Sequence, residues 1–267
     1  MSKVVLVTGA SSGIGEKIAE YLSEKGFIVY GTSRNPNLSL ERTFELIPLD
    51  VTNHKLIEKA INYVIEMEGR IDILINNAGK GITGPIEETP LEEIKANFDT
   101  NFYGLIEISK AVLPQMRQQK SGLIINISSI AGFMGLPYRG IYSASKSAVS
   151  MISEALSAEV KQFGIKIVDV APGDFITNIA AGRFHAPVLE TSAYQSSYQK
   201  VLNQINEEVN FGLDTLVMAK AIHHIILQKN PKLHYKIGKP MQRFSIVLKR
   251  ILPDRWYEKL IMNHYKL

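Results

Sequence analysis

Tyr142 and Lys146 stand four residues apart in the run Ile141-Tyr142-Ser143-Ala144-Ser145-Lys146. On a helix that spacing puts both side chains on one face. A tyrosine, with a pKa of about 10, is a poor base near neutrality until a neighbouring cation favours its phenolate. A lysine supplies that cation, and its ammonium can also hold sugar hydroxyls. The spacing alone means little, since Tyr21 and Lys25 repeat it in an earlier helical stretch, where it reads as surface packing. Position separates the two pairs. Tyr142 follows an apolar run that ends in Asn126-Ile127-Ser128-Ser129-Ile130-Ala131-Gly132, and open α/β sheets bind ligands at the C-terminal ends of their strands.

The elements that must position this pair begin with Val4-Val5-Leu6-Val7-Thr8-Gly9-Ala10-Ser11-Ser12-Gly13-Ile14-Gly15. Its unbroken apolar run suits a parallel strand buried on both faces. Gly9, Gly13 and Gly15 then allow a tight turn and a close approach to a ligand. The helix that follows aims free N–H groups and its positive end at that ligand, which suits a pyrophosphate. Strand-like runs recur at Phe27–Ser33, Phe44–Leu49, Ile71–Ile75, Leu123–Ser128 and Ile165–Ala171, with a weaker one at His234–Ile237. Helical patterns lie near 13–25, 54–68, 90–118, 141–163 and 213–229. This alternation predicts a doubly wound parallel α/β sheet of Rossmann type, one domain over 1–267. Two stretches break the rhythm, a substrate-loop insertion at 178–212 and an amphipathic helical tail at 239–267.

The chain has no cysteine, which removes disulfides, thiolate metal sites and cysteine nucleophiles. No metal is expected. The net charge of +4 is mild, and a nucleic-acid binder would want a concentrated basic stripe; only the tail is densely basic. No run reaches the roughly 18 apolar residues of a membrane span, and no leader pattern is visible, so a cytoplasmic location is the expectation.

The spacing Thr-Gly-x-x-x-Gly-x-Gly, with the Tyr-x-x-x-Lys pair and Asn76-Asn77-Ala78-Gly79, resembles the short-chain dehydrogenase/reductase family in its ordinary, non-extended form. The resemblance covers roughly residues 3–178 specifically. It implies a catalytic set of Asn101, Ser129, Tyr142 and Lys146. Ser129 lies thirteen residues ahead of Tyr142, as the family spacing requires, and Ser128 is the weaker choice. Asn101 would hold a proton-relay water. The resemblance also implies cofactor contacts from Gly9, Ser11, Ser12, Gly13, Ile14 and Gly15, from Asp50 and Val51, from Asn77, Ala78 and Gly79, and from Pro172, Gly173, Ile176 and Thr177. Asp50, with Thr52 and Asn53, reads equally well as a cap for the next helix. Pro172 reads also as a strand terminator. Asp174 departs from the apolar residue often found there and has no explanation in the sequence.

Cofactor choice is an electrostatic matter. The second strand ends in Thr32-Ser33-Arg34. A carboxylate at Ser33 would bind a ribose 2′-OH and repel a 2′-phosphate, whereas Arg34 offers a fork suited to phosphate. NADP(H) is therefore expected, with an alcohol or ketone as the small-molecule substrate. A non-catalytic nucleotide-binding regulator on the same fold is the alternative. Phe133, Met134 and Leu136, with Phe184, Ala186, Pro187, Val188 and Leu189, suggest an apolar substrate pocket or plain core. The helix near 141–163 carries only Lys146 and Glu154 as charges between Gly140 and Ala158, and so is expected to meet a second subunit; the resemblance implies a homodimer or homotetramer. In the tail, Phe244, Val247, Leu248, Ile251 and Leu252 recur at helical spacing, with Arg243, Lys249 and Arg250 opposite. That pattern fits a lid, a subunit interface or a peripheral membrane contact.

Overall fold

The computed structural model describes residues 2–36, 40–176 and 182–267. Seven parallel strands form the sheet: β1 (Val4–Val7), β2 (Ile28–Ser33), β3 (Glu45–Pro48), β4 (Ile73–Asn76), β6 (Gly122–Ile127), β7 (Ile165–Pro172) and β9 (His234–Ile237), in the order β3-β2-β1-β4-β6-β7-β9. The order reverses between β1 and β4, and that switch point opens a crevice at their C-terminal ends. A separate parallel pair joins β5 (Ile82–Thr83) to β8 (Phe184–His185).

Each sheet face has its own core, and β1 feeds both. Val5 and Val7 pack with Ile18 and Leu22 of α1 (Gly13–Glu24) and with Met218 and Ile222 of α7 (Thr215–Leu227). Val4 and Leu6 pack instead with α2 (His54–Glu68), through Ile57 and Ile61, and with α4 (Gly104–Gln119), through Ile108 and Val112. A strand buried on both sides has no polar face to show, hence its unbroken apolar run.

Several departures from the sequence reading bear on function. The stretch 90–118 is α3 (Leu91–Phe98), a π-helical turn at Asp99–Tyr103, then α4. The insertion expected to be irregular holds β8 and α6 (Gln195–Asn210); two-residue strands are too short for any periodicity to reveal. The stretch 141–163 is α5 (Gly140–Val160), with a 3₁₀ turn at Lys161–Phe163. The tail forms α8 (Pro240–Ile251) and α9 (Asp254–Tyr265), separated at Pro253. Tyr21 and Lys25 are scaffold: the Lys25 ammonium lies 5.2 Å from the Tyr21 ring centroid, and that ring packs on His223.

Candidate active site

A cleft of about 640 Å³ lies over the C-terminal ends of the central strands. Its first half is the glycine turn. Gly9 and Gly13 have φ of +66° and +62°, the left-handed region that side chains disfavour. Gly15 serves from beneath: a Cβ there would come within 2.2 Å of the Gly9 carbonyl oxygen. It lets α1 seat against the turn and is not in the cleft wall, whereas Gly9, Ser11, Ser12, Gly13 and Ile14 are. Ser12 precedes α1 in extended conformation with no side-chain cap. The N–H groups of the first turn are thus left for a ligand.

The Thr8 hydroxyl accepts from the N–H groups of Asn77 and Ala78, both at 3.0 Å, and the Asn77 amide donates to the carbonyls of Thr8 and Gly9 at 3.0 and 3.1 Å. These bonds tie the ends of β1 and β4 together. They leave Asn77, Ala78 and Gly79 along the cleft, opposite Ser33, Arg34, Asp50 and Val51. Asp50 does not cap α2; its carboxylate accepts from the Thr52 N–H and hydroxyl, while Asn53 supplies the cap. Arg34 is exposed at the rim and makes no ion pair among the described residues. The turn and the open helix start together fit the pyrophosphate of a dinucleotide.

The second half carries the chemistry. Ser129 and Tyr142 line the cleft. Ser129 starts a 3₁₀ turn, and its Oγ accepts from the Ala131 N–H at 3.1 Å, which leaves its own proton for a ligand. Ser128 spends its hydroxyl on the Val170 carbonyl at 3.3 Å, a physical reason for preferring Ser129. The Tyr142 hydroxyl makes no hydrogen bond among the described residues. Lys146, one turn further along α5, is 6% exposed and donates to the Ile127 carbonyl at 2.8 Å. Burial pushes its pKa below the usual lysine value, against the opposing pull of Tyr142 and Asp169.

Asn101 is placed one layer down, 1% exposed and absent from the cleft wall. It sits in the π-helical turn, an irregularity that local propensity alone would not select. Its Oδ1 accepts from the Lys80 N–H at 2.8 Å, and its Nδ2 donates to the Lys80 carbonyl and Ser145 Oγ at 3.0 and 3.1 Å. A Cβ on Gly79 would lie 3.1 Å from Asn101 Oδ1 and 3.4 Å from Lys146 Nζ. Asn101 therefore positions the strand-end loop beside Lys146. Pro172 and Gly173 line the cleft too. Ile176 does not: the Phe175–Leu213 bridge and the bond from Ile176 N–H to the Leu213 carbonyl turn it outward, 55% exposed. Thr177 lies outside the described residues.

The apolar residues open to two readings, pocket or plain core, do not line the cleft, and the first three of them take the core reading. Phe133, Met134 and Leu136 pack under the tail with Ile246, Tyr257 and Ile261. Ala186 is buried behind β8, and Leu189 faces solvent. The wall near Tyr142 is instead Ile82, Thr83, Phe175, Asp174 and two arginines, Arg139 and Arg183. Arg183 lies across Gly81, where a Cβ would stand 2.9 Å from its Cγ, and its buried Nη1 has no hydrogen-bond partner among the described residues. Burial, then the charge of Arg139, lowers its pKa. Burial works against Arg139 as well, yet Tyr265, Asp174 and Tyr142 hold its pKa above the usual value. Asp174 is accounted for: the Gln242 amide of α8 donates to its carboxylate. Arg139 precedes Tyr142 by one helical turn, a signal open to notice in the sequence. Arg183 has none, because only the β5–β8 pairing brings it here.

A model of the family described as short chain dehydrogenase matches residues 3–187. Over 266 residues the chain is 42% identical to a 3-ketodihydrosphingosine reductase of Bacteroides thetaiotaomicron, spanning 99% of this chain and 98% of that one. It is 29% identical to an NADPH-dependent 3-dehydrocapnine reductase of Ornithobacterium rhinotracheale, over 99% and 98% of the two chains. A short-chain dehydrogenase from Streptomyces avermitilis superposes with a TM-score of 0.84 at 31% identity, covering 100% of this chain and 97% of that one. A buried lysine one helical turn from a cleft tyrosine, at the switch point of this sheet, is the geometry that accompanies those likenesses: the chain belongs to the short-chain dehydrogenase/reductase family and is an oxidoreductase of the alcohol–ketone type.

Proposed function

We propose that the protein is an NADPH-dependent reductase of a ketone carried by an apolar, sphingoid-like substrate. The observation that carries the reading is the meeting of Ser129, Tyr142 and the buried Lys146 at one end of the cleft, with Arg34 exposed at the other. A reduced nicotinamide cofactor would be held by the turn from Gly9 to Ile14 and by Asn77, Ala78 and Gly79, and would supply the hydride for the carbonyl carbon. Ser129 donates its free proton in a hydrogen bond to the carbonyl oxygen and holds it in place. Tyr142 gives up its hydroxyl proton to that oxygen as the alcohol forms. The Lys146 ammonium stabilises the tyrosinate left behind, and Asn101 keeps the loop at Lys80 fixed beside it.

A nucleotide-binding scaffold could use the Lys146 ammonium to hold ribose, but it gains nothing from Ser129 and Tyr142 facing the same cleft with hydroxyl protons free. NADPH as cofactor is supported by Arg34 and by the absence of a carboxylate at Ser33. The sphingoid class is supported by the name of the 42% identical relative. The test is NADPH oxidation against a panel of long-chain 3-ketones, steroid-like ketones and small polar ketones. The long-chain ketones should show the highest kcat/KM; a preference for small polar ketones would defeat the substrate assignment.

A further inference from the structure

The tail does not turn a single apolar face inward. Gln242, Ser245 and Ile246 of α8 and Tyr257, Ile261 and Tyr265 of α9 face the protein. Leu248 and Leu252 pack half-buried against the cluster around Ile246 and Tyr257, and the remaining large apolar residues of α8 point away from it. Phe244, Val247 and Ile251 form one stripe of α8, exposed by 51%, 46% and 68%, and Trp256 of α9 is exposed by 69%. Large contiguous apolar surface of this kind marks an interaction site.

Charge tells what would cover it. Residues 239–267 hold seven Lys and Arg against two Asp and Glu, a net +5, whereas the whole chain is +4. The rest of the molecule is thus slightly acidic, and the positive excess resides in the tail. Lys249 is paired with Asp254. Arg243, Arg250, Arg255 and Lys259 are exposed and form no ion pair among the described residues. At 100° per residue, Arg243 and Arg250 border the stripe on its Val247 side. An apolar stripe edged by free cations, with an exposed aromatic residue on the next helix, suits the headgroup region of a membrane that carries negative charge.

We propose that α8 and α9 dock the protein on an anionic bilayer surface. The placement gives this surface a purpose. Gln242, in the first turn of α8, touches Gly173 and Asp174 in the cleft wall. The Lys239 ammonium binds the carbonyl of Phe211, whose side chain is itself exposed. The stripe and the cleft wall thus meet opposite sides of one helix, so an amphiphilic ketone drawn from the bilayer would reach the cleft around the first turn of α8. This route rests on the ketone-reductase reading; the docking surface itself does not.

The test uses the full chain, because Gln242 and Tyr265 support Asp174 and Arg139 and removal of the tail would disturb the cleft. Vesicles of phosphatidylglycerol and phosphatidylcholine in equal parts are compared with phosphatidylcholine alone. The protein should sediment with the anionic vesicles, and the emission of Trp256, the chain's one tryptophan, should shift to the blue. Phe244→Ser with Ile251→Ser, and separately Arg243→Glu with Arg250→Glu, should each weaken partitioning about tenfold or more. Turnover of a water-soluble ketone should stay within about twofold in both, which shows that the cleft is intact. No binding to anionic vesicles, or undiminished binding in both variants, would overturn the proposal. So would a Phe244→Ser and Ile251→Ser protein that partitions normally but falls from dimer to monomer, since the stripe would then be a subunit interface. Vesicle binding is read without cofactor or ketone, so its outcome is separate from that of the reductase assay.

Discussion

Replacing Ser33 by Asp and Arg34 by Ala should move the enzyme from NADPH toward NADH. Both residues line the cleft at the end of β2, with Arg34 exposed at its rim. A guanidinium hydrogen-bonded to a phosphate contributes about 1.5–3 kcal/mol. A carboxylate at residue 33, about 4 Å from a 2′-phosphate, adds repulsion of about 1 kcal/mol per unit charge in bulk water and about 4 kcal/mol near a protein surface. The rim is solvated, so the lower figures apply. Their sum, about 2.5 kcal/mol, corresponds to nearly a hundredfold change in preference at about 1.36 kcal/mol per decade. The measurement is the ratio of kcat/KM for NADPH to that for NADH, in wild type and variant. The ratio should fall by about a hundredfold or more, and kcat/KM for NADH should change by less than about tenfold. A wild type that already prefers NADH, or a variant that keeps its ratio, would refute the reasoning.

Two further outcomes follow from burial. Lys146→Met should lower turnover by about a hundredfold or more and should change stability in a pH-dependent way. Because the folded protein holds the Lys146 pKa below 10.5, the unfolded chain binds more protons between the two values, and wild-type stability rises with pH across that window. The melting temperature of the variant relative to wild type should therefore fall as pH climbs toward 10.5; a variant that gains on wild type as pH rises would contradict the burial argument. On α5, Ala144, Ser147, Met151 and Ala155 all face outward as a stripe of small and apolar residues, with Met151 66% exposed. Light scattering should find at least a dimer at micromolar concentration, and Met151→Arg should shift it toward monomer; a monomeric wild type would end that reading.

The scaffold was legible because burial on both faces forces unbroken apolar strands, as in Val4–Val7, and because Gly9 and Gly13 need backbone that only glycine adopts at low cost. Tyr142 and Lys146 were legible from their placement after a strand end. What stayed hidden depends on contacts between distant segments. Arg183 enters the cleft only through the pairing of β5 with β8, and Asp174 acquires a partner only when Gln242 arrives from the tail. The tail's apolar periodicity was plain, but which side of α8 faces the protein was decided by packing of Ile246 against Ile130 and Met134. Phe133 and Met134, open in the sequence to either pocket or core, lie beneath that helix as core.

If Tyr142 donates the proton in the proposed ketone reduction, its loss must fall on the chemistry and spare binding. Tyr142→Phe removes one oxygen that bonds to nothing among the described residues, so folding and NADPH affinity should be nearly unchanged. Single-turnover and steady-state oxidation of NADPH with a long-chain 3-ketone should then show kcat reduced by about a hundredfold or more, the scale of lost acid–base catalysis. A Tyr142→Phe enzyme within about tenfold of wild type, with NADPH bound normally, would contradict the account.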